Sequence, residues 1–202
     1  MTWDASREAF ADAARWFVGT TALVGERWAE PGLGEWDIQA LVGHTSRSLL
    51  TVEAYLAQPA ESAEIDSAAG YFRATSTMSA GPAVAERGRQ AGAALGDDPP
   101  AAVAAIAARV VPLVGARTGD ELLTTVAGGM RLADYLPTRT FELVVHTADL
   151  CAALDLPADV PPSAAAQALA LVAELAVSGG RAGPLLLAAT GRTGLPSGFS
   201  VL

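Results

Sequence analysis

The 202-residue sequence predicts an all-α protein, a four-helix bundle with an additional helix and a short C-terminal appendage. Apolar residues recur at intervals of three and four over most of the chain, which is the period of an amphipathic helix. Hydrophobic residues make up 51% of the sequence, enough to bury a core without disulfides or a structural metal. Proline and glycine fall between the periodic stretches, where they end helices.

The first two helices are each predicted from an apolar stripe that has an acidic residue at its start. The segment from Asp4 to Trp28 carries apolar residues at helical spacing, and Asp4 is a potential N-cap. The second segment begins at Asp37, a further potential cap, and its stripe continues from Ile38 to Leu56. Both segments can therefore contribute one face to the core of a bundle.

The middle of the chain predicts a loop and two further helices. Small and polar residues fill the stretch 58–69, as is typical of a loop. Helical segments follow at 81–95 and 99–116, and Pro112 is expected to kink or end the second of them.

A short extended piece precedes the next helix. Residues 124–127 are expected to be extended and to lead into a turn at the glycine pair 128–129. The following helix begins near Leu132 or Thr138 and ends near Leu154.

The chain is expected to divide into two parts. Residues 1–157 form the helical bundle, and residues 158–202 form a short C-terminal part. That part contains a helix over 162–178, with a proline-rich start and a glycine stop, and then a tail rich in glycine and proline.

Composition excludes several classes of function. The net charge of −9 argues against nucleic-acid binding, which needs a basic patch. All thirteen basic residues are arginine, so no mechanism can use a lysine amine. The single cysteine, Cys151, excludes an internal disulfide and a multi-thiolate metal site. With no secretory signal and no membrane span evident, a cytoplasmic protein without membrane partners is expected.

A row of charged residues lies on the helix that ends near residue 154. Arg139, Glu142, His146 and Asp149 are three or four positions apart, which places them on one helical face. Glu142 and His146 can reach one metal, or can simply form a hydrogen-bonded helix pair. His44, the only other histidine, lies at the edge of the second apolar stripe, and spacing alone does not place it beside His146.

Two motifs resemble a known family. The segments "LGEWDIQALVGHTSRSL" and "TRTFELVVHTADLCAALDLP" are similar to motifs of the mycothiol-dependent maleylpyruvate isomerase family, which belongs to the DinB-like group of metal-binding four-helix bundles. The tail "LLLAATGRTGLPSGFSVL" is similar to the ends of actinobacterial members. The matching residues are Trp36, Leu41 and His44 in the first motif, and Arg139, Glu142, His146 and Asp149 in the second.

The resemblance implies a metal site with a thiol cosubstrate. The ligands it implies are His44, Glu142 and His146, with zinc as the expected divalent metal and mycothiol as the thiol. Asp149 is expected to accept from the ring of His146, although a pairing with Arg139 or solvation at the helix end fits the spacing equally. Arg139 is expected to orient a carboxylate or the chain before its helix, rather than to bind metal.

The implied function is that of a metal-dependent isomerase or S-transferase acting on a small, carboxylate-bearing substrate. Arg87, Arg89 and Arg192 are candidates for binding that carboxylate, since arginine suits bidentate capture. The C-terminal part is shorter than the family's second domain, so the metal site carries over better than the reaction. The alternative is a non-catalytic metal-binding or ligand-binding bundle. Either a monomer or a homodimer is expected.

Overall fold

The structure is a computed structural model that describes residues 1–76 and 82–202, and within these residues it is predominantly helical. The all-α prediction is therefore confirmed. The helices are α1 Trp3–Thr21, α2 Ile38–Leu56, α3 Ala68–Thr75, α4 Pro82–Ala93, α5 Pro99–Gly115, α6 Leu132–Ala153, α7 Pro162–Ser178 and α8 Ala182–Ala189, with a short 3-10 turn at Arg27–Ala29. The strands β1 Pro31–Leu33 and β2 Trp36–Asp37 form one antiparallel hairpin, and β3 Leu122–Thr125 and β4 Gly128–Arg131 form another.

Four helices enclose the core: α1, α2, α5 and α6. α1 packs against α5 and α6, and α2 packs against the same two helices from the other side. α7 lies against α1 and α6, so the additional helix covers the outside of this bundle. The division of the chain after residue 157 stays a prediction. The largest side chains that are fully buried include Phe10, Phe17, Leu41, Leu49, Leu136, Leu143 and Leu150.

The predicted caps differ in their outcome at the two helices. The Asp37 side chain accepts from the backbone nitrogen of Ala40 at 2.8 Å, which confirms it as the cap of α2. The Asp4 prediction is wrong, because α1 begins one residue before Asp4 and the side chain of Thr2 caps it. Asp4 lies in the first turn, where its charge favours the helix dipole.

The glycine pair before α6 lies in a strand rather than in a turn. Residues 126–127 make the turn, and Gly128 and Gly129 begin β4. The prediction failed because the glycines are needed for a close approach instead of for the reversal. A Cβ on Gly129 would lie 2.0 Å from the carbonyl oxygen of Ser62, in the predicted loop. That loop hydrogen-bonds to the hairpin, with the nitrogen of Glu64 donating to the Gly129 oxygen at 2.8 Å.

Several helix ends also differ from the predictions. α3 begins at Ala68, inside the stretch expected to be a loop, and Ser67 caps it by accepting from the backbone nitrogen of Gly70. The helix expected from Gly81 is described only from Pro82, since Gly81 lies outside the described residues. α5 continues through Pro112 to Gly115. α8, in the predicted tail, has no buried residue. No helix in the described part of the chain is long and apolar enough to cross a membrane.

α4 packs on α2 with glycine on both sides of the contact. A Cβ on Gly43 would lie 2.1 Å from the backbone nitrogen of Gly92, and one on Gly92 would lie 2.6 Å from the carbonyl oxygen of Gln39. One turn before Gly92, a Cβ on Gly88 would lie 2.6 Å from the indole ring of Trp36. The two backbones therefore approach closely enough to exclude any side chain at these positions.

Replacing Gly43 with alanine is expected to destabilise the protein by about 2 to 3 kcal/mol, because the new methyl group must push α4 away from α2. The free energy of unfolding from urea denaturation measures the effect. Gly19→Ala on α1 is the matched control, since nothing lies within 4 Å of its added Cβ. That substitution should be neutral or stabilising by less than about 1 kcal/mol. Equal stabilities for the two variants would contradict the close helix contact.

Candidate metal centre

Two antiparallel helices bring the three candidate ligands together. α2 carries His44, and α6 carries Glu142 and His146. His44 lies opposite His146, with ring centroids 4.8 Å apart, and farther along α2 the ring of Tyr55 lies 5.4 Å from that of Tyr135. One ligand atom from each of the three candidate residues lies within 4.8 Å of the other two.

The two candidate ligands on α6 are joined by a hydrogen bond. His146 Nε2 lies 3.1 Å from Glu142 Oε2, as expected for residues one helical turn apart. On the other side of the ring, His146 Nδ1 lies 3.1 Å from Asp149 Oδ2. Asp149 therefore contacts His146, and no ion pair among the described residues joins it to Arg139. Both ring nitrogens of His146 face a carboxylate, which fixes the orientation of the ring.

His44 is positioned by an aromatic neighbour rather than by a carboxylate. The centroids of the His44 and Trp36 rings lie 4.5 Å apart, and the two ring planes are tilted by 34°. Trp36 in turn donates from its indole nitrogen to the carbonyl oxygen of Ala85 on α4 at 3.0 Å. The Nδ1 atom of His44 is buried and has no hydrogen-bond partner among the described residues. Its ring thus retains a coordinating capacity that no described protein group uses.

The two imidazoles have opposite pKa shifts. Burial and the nearby His146 lower the pKa of His44 to about 4. Burial also lowers the pKa of His146, but the hydrogen bonds to Asp149 and Glu142 outweigh it and raise that pKa to about 9. Burial raises the pKa of Glu142, and its hydrogen bond to His146 and the charge of Arg139 reverse that effect, so the net pKa is lowered. At neutral pH, His44 is neutral, His146 is protonated and Glu142 is ionised.

The donor set fits a divalent ion. Two imidazoles and one carboxylate are the ligands of many catalytic zinc sites, in which neighbouring ligand atoms lie about 3.4 Å apart. The separation between Glu142 and His146 is already close to that value. Within the described residues, no further histidine, cysteine or carboxylate joins His44, Glu142 and His146 as a fourth ligand. Such a site leaves a coordination position open, as catalytic sites do and closed structural sites do not.

Arg139 lies one helical turn before Glu142 and is buried. Its side chain stacks on two aromatic rings, with the guanidinium carbon 5.3 Å from the centroid of Tyr71 and 5.0 Å from that of Tyr135. Its Nε donates to the hydroxyl oxygen of Thr138 at 2.9 Å. None of the ion pairs among the described residues includes Arg139, so no carboxylate lies within 4 Å of it.

The three arginines proposed to bind substrate lie on the surface. Arg87 and Arg89 are exposed on α4, and Arg89 pairs with Glu86 on its own helix. Arg192 is exposed in the C-terminal part, where it donates to the carbonyl oxygen of Thr190. No hydrogen bond or ring contact of the described residues connects these side chains to the triad, and their role stays a prediction.

Sequence reasoning missed one cation near the triad, Arg47. Arg47 is half-buried and three positions after His44, and its charge contributes to the lowered pKa of that histidine. Its position three residues after His44 on α2 is the sequence signal that could have identified it. Cys151 is buried against α1, with its sulfur 4.0 Å from the hydroxyl of Thr20.

Comparison with known proteins assigns the chain to a family. No curated protein and no solved structure matches the sequence. The model of one family, described as the mycothiol maleylpyruvate isomerase N-terminal domain, matches residues 3–151. That range includes α1 to α5 and nearly all of α6, and therefore all three candidate ligands. Since the match covers most of the chain, the protein belongs to the mycothiol maleylpyruvate isomerase N-terminal domain family.

Proposed function

We propose that the protein is a metal-dependent enzyme that uses a low-molecular-weight thiol, mycothiol in the family's name, on a small carboxylate-bearing substrate. The observation that carries the proposal is the convergence of His44, Glu142 and His146, whose ligand atoms lie within 4.8 Å of one another. These three residues would hold a divalent ion, with zinc best suited to the donor set. When bound, such an ion lowers the pKa of a thiol and so supplies a thiolate at neutral pH.

The residues around the ligands support this role. Asp149 orients the ring of His146 through Nδ1 and leaves Nε2 directed toward Glu142. Trp36 stacks on His44 and restricts its ring, while burial keeps that imidazole neutral and able to donate a lone pair. These contacts hold the three donors in place before any ligand arrives, which reduces the cost of ordering them on binding.

Within its described residues, the chain offers neither a lysine amine nor a thiol as a nucleophile at the site. It contains no lysine, and its only thiol, that of Cys151, is buried against Thr20 on α1. Both histidines are used as ligands, so neither is available to activate a serine. The nucleophile would therefore come from outside the chain, as a thiol or as a water activated by the bound ion, and the family's description favours the thiol. In an isomerase it would add to an activated double bond and leave after rotation; in a transferase it would displace a leaving group.

Cobalt substitution tests the thiol step. We expect the Co²⁺-loaded protein to develop a sulfur-to-cobalt charge-transfer band when mycothiol or a simple analogue is added, since the open position accepts the thiolate. The variant His146→Ala should show no such band, and Glu53→Ala, whose side chain pairs with Arg109 away from the triad, should retain it.

The result separates the two functions. Absence of the band with every low-molecular-weight thiol, in protein that still binds Co²⁺, would contradict the thiol mechanism. Hydrolysis by a water that the bound ion would activate, or the metal-binding or ligand-binding bundle of the alternative hypothesis, would then be the better interpretation. A band followed by conversion of an unsaturated dicarboxylate would establish the isomerase reaction.

A further inference from the structure

Arg139 is a buried cation without a close counter-ion. Only 9% of its surface is exposed, and no carboxylate of the described residues lies within 4 Å of it. Burying a charge is costly unless an opposite charge or several hydrogen bonds compensate. Glu142 contributes a favourable charge interaction, but that carboxylate is already hydrogen-bonded to His146. The protein thus keeps a guanidinium in its interior that no described acidic group pairs with directly.

The guanidinium is held in one orientation by the aromatic residues around it. Tyr71 of α3 and Tyr135 of α6 both stack against it, and Nε is bonded to Thr138. The ring of Tyr135 is fixed in turn, because its hydroxyl donates to Thr51 on α2 at 3.1 Å. Such packing leaves a planar, rigid donor group, which suits bidentate binding of a carboxylate.

Arg139 lies on the same face of α6 as the two candidate metal ligands of that helix. Along α6 it precedes Glu142 by three residues and His146 by seven, which are separations of about 4.5 Å and 10 Å along the helix axis. An organic acid of about four to six carbon atoms spans the distance from the arginine to the triad.

The charges near the triad favour an anionic ligand. Arg47 of α2, three residues after His44, is a second cation that is absent from the ion pairs of the described residues. Once a divalent ion is bound, the ion and these two arginines outweigh the carboxylates of Glu142 and Asp149. A ligand that carries a carboxylate would neutralise part of this excess.

We propose that Arg139, held between Tyr71 and Tyr135, binds a carboxylate of a small molecule that binds beside the triad. This rests on the proposed function only in identifying that molecule as the substrate of the thiol reaction. The binding step itself requires neither the metal nor the thiol. In this proposal the buried Arg139, and not the exposed Arg87, Arg89 or Arg192, is the principal anion-binding group.

Binding of succinate and of its uncharged dimethyl ester tests the proposal, measured by NMR titration on the full chain with and without zinc. We expect the metal-free protein to bind succinate and not the ester. Arg139→Gln should weaken succinate binding about 10- to 100-fold, because one charge-assisted, bidentate contact is lost. Arg139→Lys should restore part of the loss, and the control Arg109→Gln, an exposed arginine paired with Glu53, should bind like the parent protein.

Two results would overturn the proposal. One is ester binding as tight as succinate binding in the unmodified protein, a comparison that needs no variant and holds even if Arg139→Gln fails to fold. The other is a loss of succinate binding in Arg47→Gln or Arg89→Gln while Arg139→Gln retains it. Binding through Arg139 in the metal-free protein, together with no cobalt–thiol band, would sustain this site and reject the thiol function. A cobalt–thiol band, together with no succinate binding through Arg139, would sustain the thiol function and reject this site.

Discussion

Replacing His44 with alanine is expected to abolish stoichiometric binding of a divalent metal, with a loss of affinity of at least about 1,000-fold, while the bundle stays folded. Affinity is lost because two ligands from one helix remain, and neither can replace the donor from α2. The fold persists because the core consists of large apolar side chains from several helices. Only the stabilisation contributed by metal binding should disappear.

Metal content after dialysis and a thermal melt of the same sample measure both expectations. Glu53→Ala on α2 is the control, because it truncates a side chain on the same helix that lies outside the triad. Unfolding of the unmodified protein by a chelator at room temperature would instead assign the metal a structural role. Retention of one metal per chain in the His44 variant would reject His44 as a ligand.

The stability of the metal-free protein is expected to fall on both sides of a maximum near pH 6.5. The pKa of His146 is raised from 6.5 to about 9 in the folded state, so its contribution is complete below pH 6.5 and is lost as the pH rises through 9. The contribution is on the order of 3 kcal/mol. The pKa of His44 is lowered to about 4, so folding opposes its protonation and stability declines as the pH falls from 6.5 toward 4.

Urea unfolding at a series of pH values, with chelator present, measures this profile. In His146→Gln the decline between pH 6.5 and 9 should disappear, since the group responsible has been removed. Saturating zinc should also remove it, because binding of the metal has already displaced the proton from the coordinating nitrogen, and zinc affinity should rise over the same range. A metal-free profile that is flat from pH 6.5 to 9.5 would contradict the charged His146 between Glu142 and Asp149.

Local geometry made part of the site predictable from the sequence. Residues three and four apart on a helix are neighbours, so the row from Arg139 to Asp149 already indicated that Glu142 and His146 touch. The structure places their ligand atoms 3.1 Å apart. The same period predicted α2 and α6 with useful accuracy, and Asp37 as a cap. The resemblance of two motifs added His44 and the family, which the match over residues 3–151 shows.

Contacts between distant segments were not predictable in this way. Helical spacing says nothing about which helix faces which, so the 4.8 Å approach of His44 to His146 depends on the packing of α2 against α6. The reasons for two of the glycines likewise depend on contacts between distant segments. The pair at 128–129 indicated a turn, yet the approach of Ser62 explains Gly129, and the contact with Gly92 explains Gly43. These reasons exist only once the chain has folded.

The sequence by itself determined the helical class, the bounds of α2, α5, α6 and α7 to within a few residues, the polar face of α6 and the lack of a lysine. The expected end of the first helix, Trp28, lies seven residues beyond the end of α1 at Thr21. The tertiary structure decided which polar groups meet: Trp36 with His44, Asp149 with His146, and Arg139 with two tyrosines instead of a carboxylate. The physical reason is the distance along the chain over which each kind of interaction acts. Helix formation and the spacing of side chains depend on neighbours within a turn or two. Burial, charge pairing and a shared metal depend on segments that can be more than 100 residues apart and that only the packed core brings together.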